Sequence, residues 1–535
     1  PERTTPTPLT FEGRVPAWFK GTLIRNSPGG YENGDDQVRH WNDGWAQLHR
    51  WRIDGSTSTV DHMSRFLNTS SYFAASTLSA IKEAGYGTPA NPGPRPHTPI
   101  PVPPSSSSQQ QEPQDALAVD AAAAAAGPGP SIGKFAINPM VNVWKFDNKF
   151  MATTDQNLFV EFDPDTLTTV DPTPNAGWQP DDPLTKKGVL GIGVAHGRYD
   201  RWSKEHYWLE IDMGMVPVVG KTKYNVWTYQ ETGFNGTGPI PTDRKILGTI
   251  EDKHTSFVHS FGLSAKYIVI IQCPMYYHFL EFVTAKTVLD TISWDDKTAT
   301  KFHIMDRATG EVVTTFDADD GAWFVYHIAN AFDSGDGEIT IDFSKYHNDT
   351  LISYGMFLEN IVDHPKQYVP TYAQARMTRC VITLADGGSA KCEQVIENTF
   401  EMGTFNVENY QTKKYTYAWG ASFEDANTPW HNGTSDFIDK LIKVNVDTKE
   451  VEASWHRPGF YVCEPLFQQN PAEGSREDDG VLMFVGFNSS AESSRLFLLN
   501  GTDMTELGSA DMGARLAANF HGKWMPDGKD YAIGL

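Results

Sequence analysis

Cysteine is scarce in this chain of 535 residues. The four, at Cys273, Cys380, Cys392 and Cys463, are too few for a disulfide scaffold or a thiolate metal site. Long apolar runs are also missing: no stretch of about 18 apolar residues occurs, which excludes a membrane-spanning helix. The amino-terminal PERTTPTPLTFEGRVP has no apolar signal core. These absences lead us to expect a soluble, cytoplasmic protein of a reducing compartment, with room for peripheral membrane contact. The six Asn-x-Ser/Thr sequons, at Asn68, Asn235, Asn348, Asn432, Asn488 and Asn500, then read as chance matches. Basic runs are missing too, and 44 basic residues face 67 acidic ones for a net charge of −23, which argues against a nucleic-acid partner. Nothing in the sequence implies a protein partner.

Helical periodicity is nearly absent, whereas strand signals are frequent. KYIVIIQC (266–273), GVLMFVGF (480–487) and LIKVNV (441–446) are β-branched or aromatic runs of strand length. A turn pattern recurs in VEFDPDTLTTV (160–170), HIMDRATGEVVTTF (303–316), LIKVNVDTKEVEASW (441–455) and LLNGTDMTEL (498–507). Each reads as a strand, an Asp/Asn-led turn and a second strand, the residue choice of an Asx-turn. The first three lie about 140 residues apart, or two units of about 70, the period of a β-propeller with large blades. Seven such blades use most of the chain, so 1–535 reads as one domain. One segment departs from this pattern. Residues 87–130, proline-rich, then Ser/Gln-rich, then polyalanine, read as a surface insertion with at most a short helix over 115–126.

Four of the sixteen histidines share a setting of small or aromatic neighbours: His196 in GVAHGRYD, His259 in FVHSFGLS, His327 in WFVYHIANAF and His521 in AANFHGKW. The gaps are 63, 68 and 194 residues, the last about three blade repeats. One histidine per blade, with two blades skipped, would let them converge on a propeller axis. Imidazole suits zinc, copper, iron and nickel. Four histidines are unusual for zinc, which prefers thiolates in structural sites and three protein ligands in catalytic ones. An octahedral ion held by four histidines keeps two positions, enough for dioxygen. From spacing alone, four unrelated core histidines remain the alternative.

At these residues the chain resembles the carotenoid cleavage oxygenase family. GTLIRNSPGG (21–30), HWNDGWAQLHRW (40–51), ATTDQNLFVEFDPDTLTT (152–169), VHSFGLSAKYIVI, HIANAF and NFHGKW match family blocks in order from Gly21 to Trp524, leaving out the 87–130 insertion. Asn42 stands where the family block has phenylalanine. The resemblance implies a seven-bladed β-propeller with a loop and helical cap over an axial iron site. It implies iron(II) as cofactor, O2 as co-substrate, and His196, His259, His327 and His521 as ligands. It also implies that Asp155, Glu401 and Glu464 orient three of these rings, as an accepting carboxylate fixes the tautomer. The family has glutamate where this chain has Asp155, so a longer or water-bridged contact is expected there. Val141 matches a small β-branched residue that blocks one open metal position. Phe261, Trp323, Phe324, Tyr326 and Trp524 flank the ligands and are expected, with Thr154, to line a substrate tunnel.

The implied reaction is dioxygen cleavage of a carbon–carbon double bond of a lipophilic carotenoid or apocarotenoid, giving aldehydes. Two other activities within the family compete. Stilbene cleavage uses a lysine directly before the first of these orienting carboxylates, Asp155, where this chain has Thr154. Isomerohydrolase chemistry goes with a lipid-anchoring cysteine before the iron blocks, and here no cysteine precedes Cys273. A non-enzymatic propeller scaffold would need neither the four histidines nor the glutamates.

Overall fold

The computed structural model describes residues 2–100, 135–157, 159–170, 192–213, 221–233, 244–365, 375–425, 435–516 and 518–535. Seven antiparallel sheets form the blades of a β-propeller. Beginning with the first blade, their innermost strands lie in the segments 522–526, 142–146, 192–200, 262–263, 324–335, 401–405 and 460–469. The first blade closes the ring. Its strand Lys20–Gly30 pairs antiparallel with Gly522–Pro526 from the far end of the sequence, Leu23 opposite Trp524. Phe11–Gly13 extends the seventh blade beside Glu506–Asp511. Among the described residues two small sheets lie outside the blades, one of strands 255–256, 275–277 and 292–294, the other of 32–33 and 36–37.

The apolar runs became blade strands. Tyr267–Gln272, Lys440–Asn445 and Gly480–Asn488 are each buried along most of their length. The recurring turns are Asx-led as expected. Asp163 Oδ1 accepts from the amides of Asp165 and Thr166, and Asp306 Oδ1 from those of Ala308 and Thr309. Asn445 Oδ1 accepts from Asp447 and Thr448, and Asn500 Oδ1 from Thr502. Trp51, Trp208, Trp227, Trp419 and Trp524 are fully buried, and each such ring contributes on the order of 2–3 kcal/mol by leaving water. Trp419 stacks on Phe467 at 4.3 Å, joining the sixth blade to the seventh.

Cys380 and Cys392 form a disulfide. The hairpin between Arg376–Thr383 and Ser389–Thr399 sets them directly opposite one another, a register that residue counting alone did not reveal. Cys273 and Cys463 are free and buried. The start of the predicted insertion is not a loose surface loop. Thr88 is buried and its hydroxyl accepts from the amides of Arg39 and His40. Gly93 and Arg95 are bound through Asp36 and Gln37, and the Ile100 backbone pairs with the Asn360 amide in both directions. Residues 87–100 thus belong to the cap, together with helix Ser70–Leu78 and the turns over 351–361. The remainder of the predicted insertion, with its short helix, lies outside the described residues.

Candidate metal centre

Each candidate ligand sits where an inner strand starts or its ladder breaks. His196 lies between Ile192–Gly193 and Arg198–Asp200 of the third blade, and His259 just before Gly262–Leu263 of the fourth. His327 lies in Phe324–Gly335 of the fifth blade, where the register to the next strand slips between Val325 and Ile328. His521 immediately precedes Gly522–Pro526. Residues freed from ladder pairing can turn their rings toward the axis. The backbones are tied nonetheless: His521 accepts from the Asn26 amide at 2.9 Å.

All four rings are buried, and their inward nitrogens lie within 4.8 Å of one another. Three of the outward nitrogens meet carboxylates. His259 Nδ1 reaches Asp155 at 2.5 Å, His327 Nδ1 reaches Glu401 at 2.5 Å, and His521 Nδ1 reaches Glu464 at 2.8 Å. The Asp155 contact is therefore direct, and the expected longer or water-bridged contact is corrected. The Asp155 backbone is itself tied, its carbonyl accepting from the Gly193 amide at 2.8 Å. The fourth ring differs. His196 Nδ1 has the neutral Asn142 side-chain amide at 3.2 Å. Glu464 is itself shared, taking a buried ion pair from Arg25 at 3.1 Å.

A ring that donates its Nδ1 proton to a carboxylate carries a lone pair at Nε2. Yet His259 Nε2 lies 3.2 Å from His327 Nε2, and His327 Nε2 lies 3.1 Å from His521 Nε2. Acceptors face acceptors. His196 Nε2 is buried with no polar partner among the described residues. A cation among the four resolves both facts, so the residues present fit a metal ion. Burial pushes the His196 and His259 pKa values down, and that of His521 to about 4, which keeps the rings neutral and ready to ligate. Burial pushes Glu401 and Glu464 up, but the facing histidines outweigh it and leave both below the usual carboxylate range. An all-imidazole set suits a borderline transition metal and not a hard ion such as calcium.

An apolar cavity of about 820 Å³, part of it open to solvent, reaches His259, His327 and His521. Val141 lines it, as do Trp41, Tyr326, Tyr346, Met356, Phe423, Phe437 and Phe520. Of the aromatics expected there, only Tyr326 lines this cavity, stacked on His259 at 4.0 Å. The other four are corrected to core. Trp323 stacks on Phe343 at 5.5 Å, and Trp524 on Phe19 at 4.7 Å. Phe261 is fully buried in the core, and Phe324 packs among Phe257, Tyr326 and Tyr346. Side chains alternate across a strand, so neighbours of a ligand in sequence often face away from it. Thr154 is near the site but lines a second cavity. The lining residues from distant loops (Trp41, Met356, Phe437) were not found from the sequence. Arg25 and Asn142 were missed too, though a buried polar residue inside a strand run was a readable signal.

The family model for retinal pigment epithelial membrane protein matches residues 1–526. The chain belongs to that family, the carotenoid cleavage oxygenases. It is 24% identical to the β,β-carotene 15,15′-dioxygenase of Mus musculus, over 98% of this chain and 90% of that one. It is 25% identical to the chloroplastic carotenoid cleavage dioxygenase 8 of Arabidopsis thaliana, over 97% and 83%. Among solved structures, a mutant of the Synechocystis apocarotenoid oxygenase superposes with a TM-score of 0.74 at 16% identity, covering 98% of this chain and 97% of that one. The cobalt-substituted form of that oxygenase gives 0.73 at 16%, with the same coverage. At this identity the structures establish the fold, a seven-bladed propeller.

Proposed function

We propose that this chain is a non-haem iron(II) dioxygenase that cleaves a carbon–carbon double bond of a carotenoid or apocarotenoid to give aldehydes. The observation that carries the reading is an apolar cavity ending on four converging imidazoles, three of them backed by carboxylates. When bound, iron(II) would supply a redox-active centre able to activate dioxygen. His196, His259, His327 and His521 would hold it through Nε2. Asp155, Glu401 and Glu464 hold the Nδ1 protons, which fixes the tautomers and raises the basicity of the inward nitrogens. Val141 lines the same cavity and would narrow the approach to one open metal position.

The cavity wall binds and orients. Tyr326, Phe423 and Phe437 offer rings to a polyene, whose burial contributes about 25 cal/mol per Å². Enclosure also keeps water from the reacting carbons. No helix among the described residues is long and apolar enough to cross a membrane. Phe73, Leu78, Leu280 and Val362 are nevertheless exposed, and through such side chains the protein would touch a membrane surface to take up its lipophilic substrate.

The test is metal analysis together with product analysis on β-carotene, an apocarotenal and resveratrol under labelled dioxygen. About one iron per chain is expected, with label in aldehydes from a polyene and resveratrol nearly untouched. Efficient resveratrol cleavage with the polyenes ignored would overturn the substrate class. Stoichiometric zinc, with full activity after iron is removed, would overturn the metal.

A further inference from the structure

The four ligands sit where strands start or their ladders break, so strand pairing does not set the spacing between them. Neighbouring blades must be fixed to one another near the axis by other bonds. The backbone supplies one, from the His196 amide to the His259 carbonyl at 3.4 Å. The Ser260 hydroxyl supplies two more, donating to the Tyr326 carbonyl at 3.0 Å and accepting from the Ile328 amide at 3.1 Å. Arg198 reaches further than either. Its Nε donates to the Phe261 carbonyl at 2.6 Å, and its Nη2 to the Ile328 carbonyl at 2.8 Å. Arg198 stands two residues after His196, Phe261 two after His259, and Ile328 directly after His327. One side chain thus ties together ligand segments of the third, fourth and fifth blades.

The local sequence His-Gly-Arg suits this placement. Side chains two apart on an extended chain share a face, so 196 and 198 fall on the same one. Between them Gly197 packs on Trp208, where a Cβ would lie 2.2 Å from the indole. Arg198 is buried, and among the described residues no carboxylate pairs with it. Burial brings its pKa down to about 10, which still leaves the guanidinium charged at neutral pH. Burying a cation in this way opposes folding unless its donors are well used. Here they are. A guanidinium is planar and its donors keep a fixed separation, so the two carbonyls it binds are held a set distance apart. The fourth ligand segment has its own buried arginine: Arg25 pairs with Glu464 at 3.1 Å and reaches the Phe520 carbonyl, directly before His521, at 3.5 Å.

We propose that Arg198 is a positioning residue of the metal centre, setting the spacing of His196, His259 and His327 through the backbones that carry them. The inference rests on the proposed metal site and gives a part in it to a residue outside the ligands and their carboxylates. Arg198 lines neither the polyene cavity nor the second one, so its influence on cleavage runs through the metal and not through substrate binding.

The experiment titrates the full chain with cobalt(II), whose visible absorption reports ligand geometry with no substrate present, and with iron(II). Arg198→Met should weaken binding of both ions about 10–100-fold, the range for groups that orient ligands indirectly, and should alter the cobalt spectrum. Arg198→Lys keeps the charge but loses the fixed fork, so it should fall between Arg198→Met and the wild type. On iron-loaded protein kcat should fall, while KM for a polyene stays within about twofold. Arg307→Met is the control. Arg307 also joins the third blade to the fourth, through the Tyr207 hydroxyl at 2.8 Å and the Ser264 carbonyl at 3.2 Å, but it holds no residue next to a ligand. This change should lower the denaturant midpoint and leave cobalt affinity and spectrum as in the wild type. A folded Arg198→Met with wild-type affinity and spectrum would overturn the inference, as would an equal loss of metal in Arg307→Met. If Arg198→Met does not fold, Arg198→Lys decides, and wild-type cobalt binding there overturns the inference. A wild type that takes up neither ion would overturn the metal site itself.

Discussion

The fold buries histidines against one another in two places, and the two are built differently. At the propeller axis, three rings give their outer N–H to carboxylates and turn lone pairs toward each other at 3.1 and 3.2 Å. In the first blade, His49 Nδ1 lies 3.3 Å from His62 Nε2, and His62 Nδ1 lies 3.5 Å from the Arg3 guanidinium. There donors and acceptors alternate: Arg3 donates to His62, which donates to His49. Among the described residues no carboxylate joins them, and Trp51 stacks beside His49 at 5.8 Å. His49 Nε2 alone is left without a polar partner among the described residues. The first arrangement needs a cation between its rings; the second holds without one. Burial is common to both, so it is the carboxylates and the facing lone pairs that distinguish a metal centre from a structural pair.

The hardest way to break this contrast is to remove a ligand. Changing His196, His259, His327 or His521 to alanine should leave iron below about 10% occupancy and abolish cleavage, because both affinity and geometry depend on the full set. Removing His49 or His62 should leave iron at about one per chain. Elemental analysis of the two sets checks this, and loss of iron on losing His49 would contradict it.

The next effect tests the carboxylates. Asp155→Asn and Glu401→Gln should each cost about 10–100-fold in iron affinity or turnover. They should cost alike, because both contacts are direct and equally short at 2.5 Å. Glu464→Gln should add a loss of about 3 kcal/mol in stability, since it leaves the buried Arg25 short of its anion. Metal titration paired with urea denaturation separates the two contributions. A much milder Asp155 variant would show that side-chain length and not contact distance governs the metal.

How much of this could be read from the sequence depended on how local the signal was. Strand runs such as Tyr267–Gln272 and the Asx-turns at Asp306 and Asn445 are decided by neighbouring residues, and they were legible. The blade period and the histidine gaps reached the axial cluster because a repeat converts sequence distance into place. Contacts without such a rule were not legible. Residue order said nothing of the Cys380–Cys392 register, the docking of residues 87–100 on Asp36 and Asn360, or the cap residues Trp41 and Phe437 on the cavity wall. Trp323 and Trp524 misled for a related reason, since adjacency along a strand is not adjacency in space.

A smaller effect tests the structural pair. His49→Phe should destabilise the chain by about 1–3 kcal/mol, because His62 Nε2 is left buried without its partner. Iron content and the kcat of polyene cleavage should stay within about twofold, given that the pair touches neither cavity. Denaturant midpoints on iron-loaded protein check both statements. A variant as stable as the wild type would mean that the contact between the rings contributes nothing net.

The smallest effect is a slope. Burial lowers the His49 pKa to about 3, so this ring stays neutral in the folded protein well below the ordinary histidine value of about 6.5. As pH falls through that value the unfolded chain takes up a proton at His49 and the folded chain does not. Stability is therefore full above about pH 6.5 and falls as the pH drops toward 3, by up to about 1.4 kcal/mol per pH unit for this one group. Many other groups also titrate across this range, including the axial histidines in metal-free protein, so the wild-type slope alone identifies none of them. Contributions of groups remote from the pair cancel when the slope of His49→Phe is subtracted from that of the wild type, and His62, held down first by its own burial and only then by His49, stays neutral in both. The difference between pH 6 and 5 should correspond to about one proton, read from urea midpoints at constant ionic strength. Parallel slopes would show that His49 is not held neutral by the fold, and the contrast between the two histidine sites would then rest on the carboxylates alone.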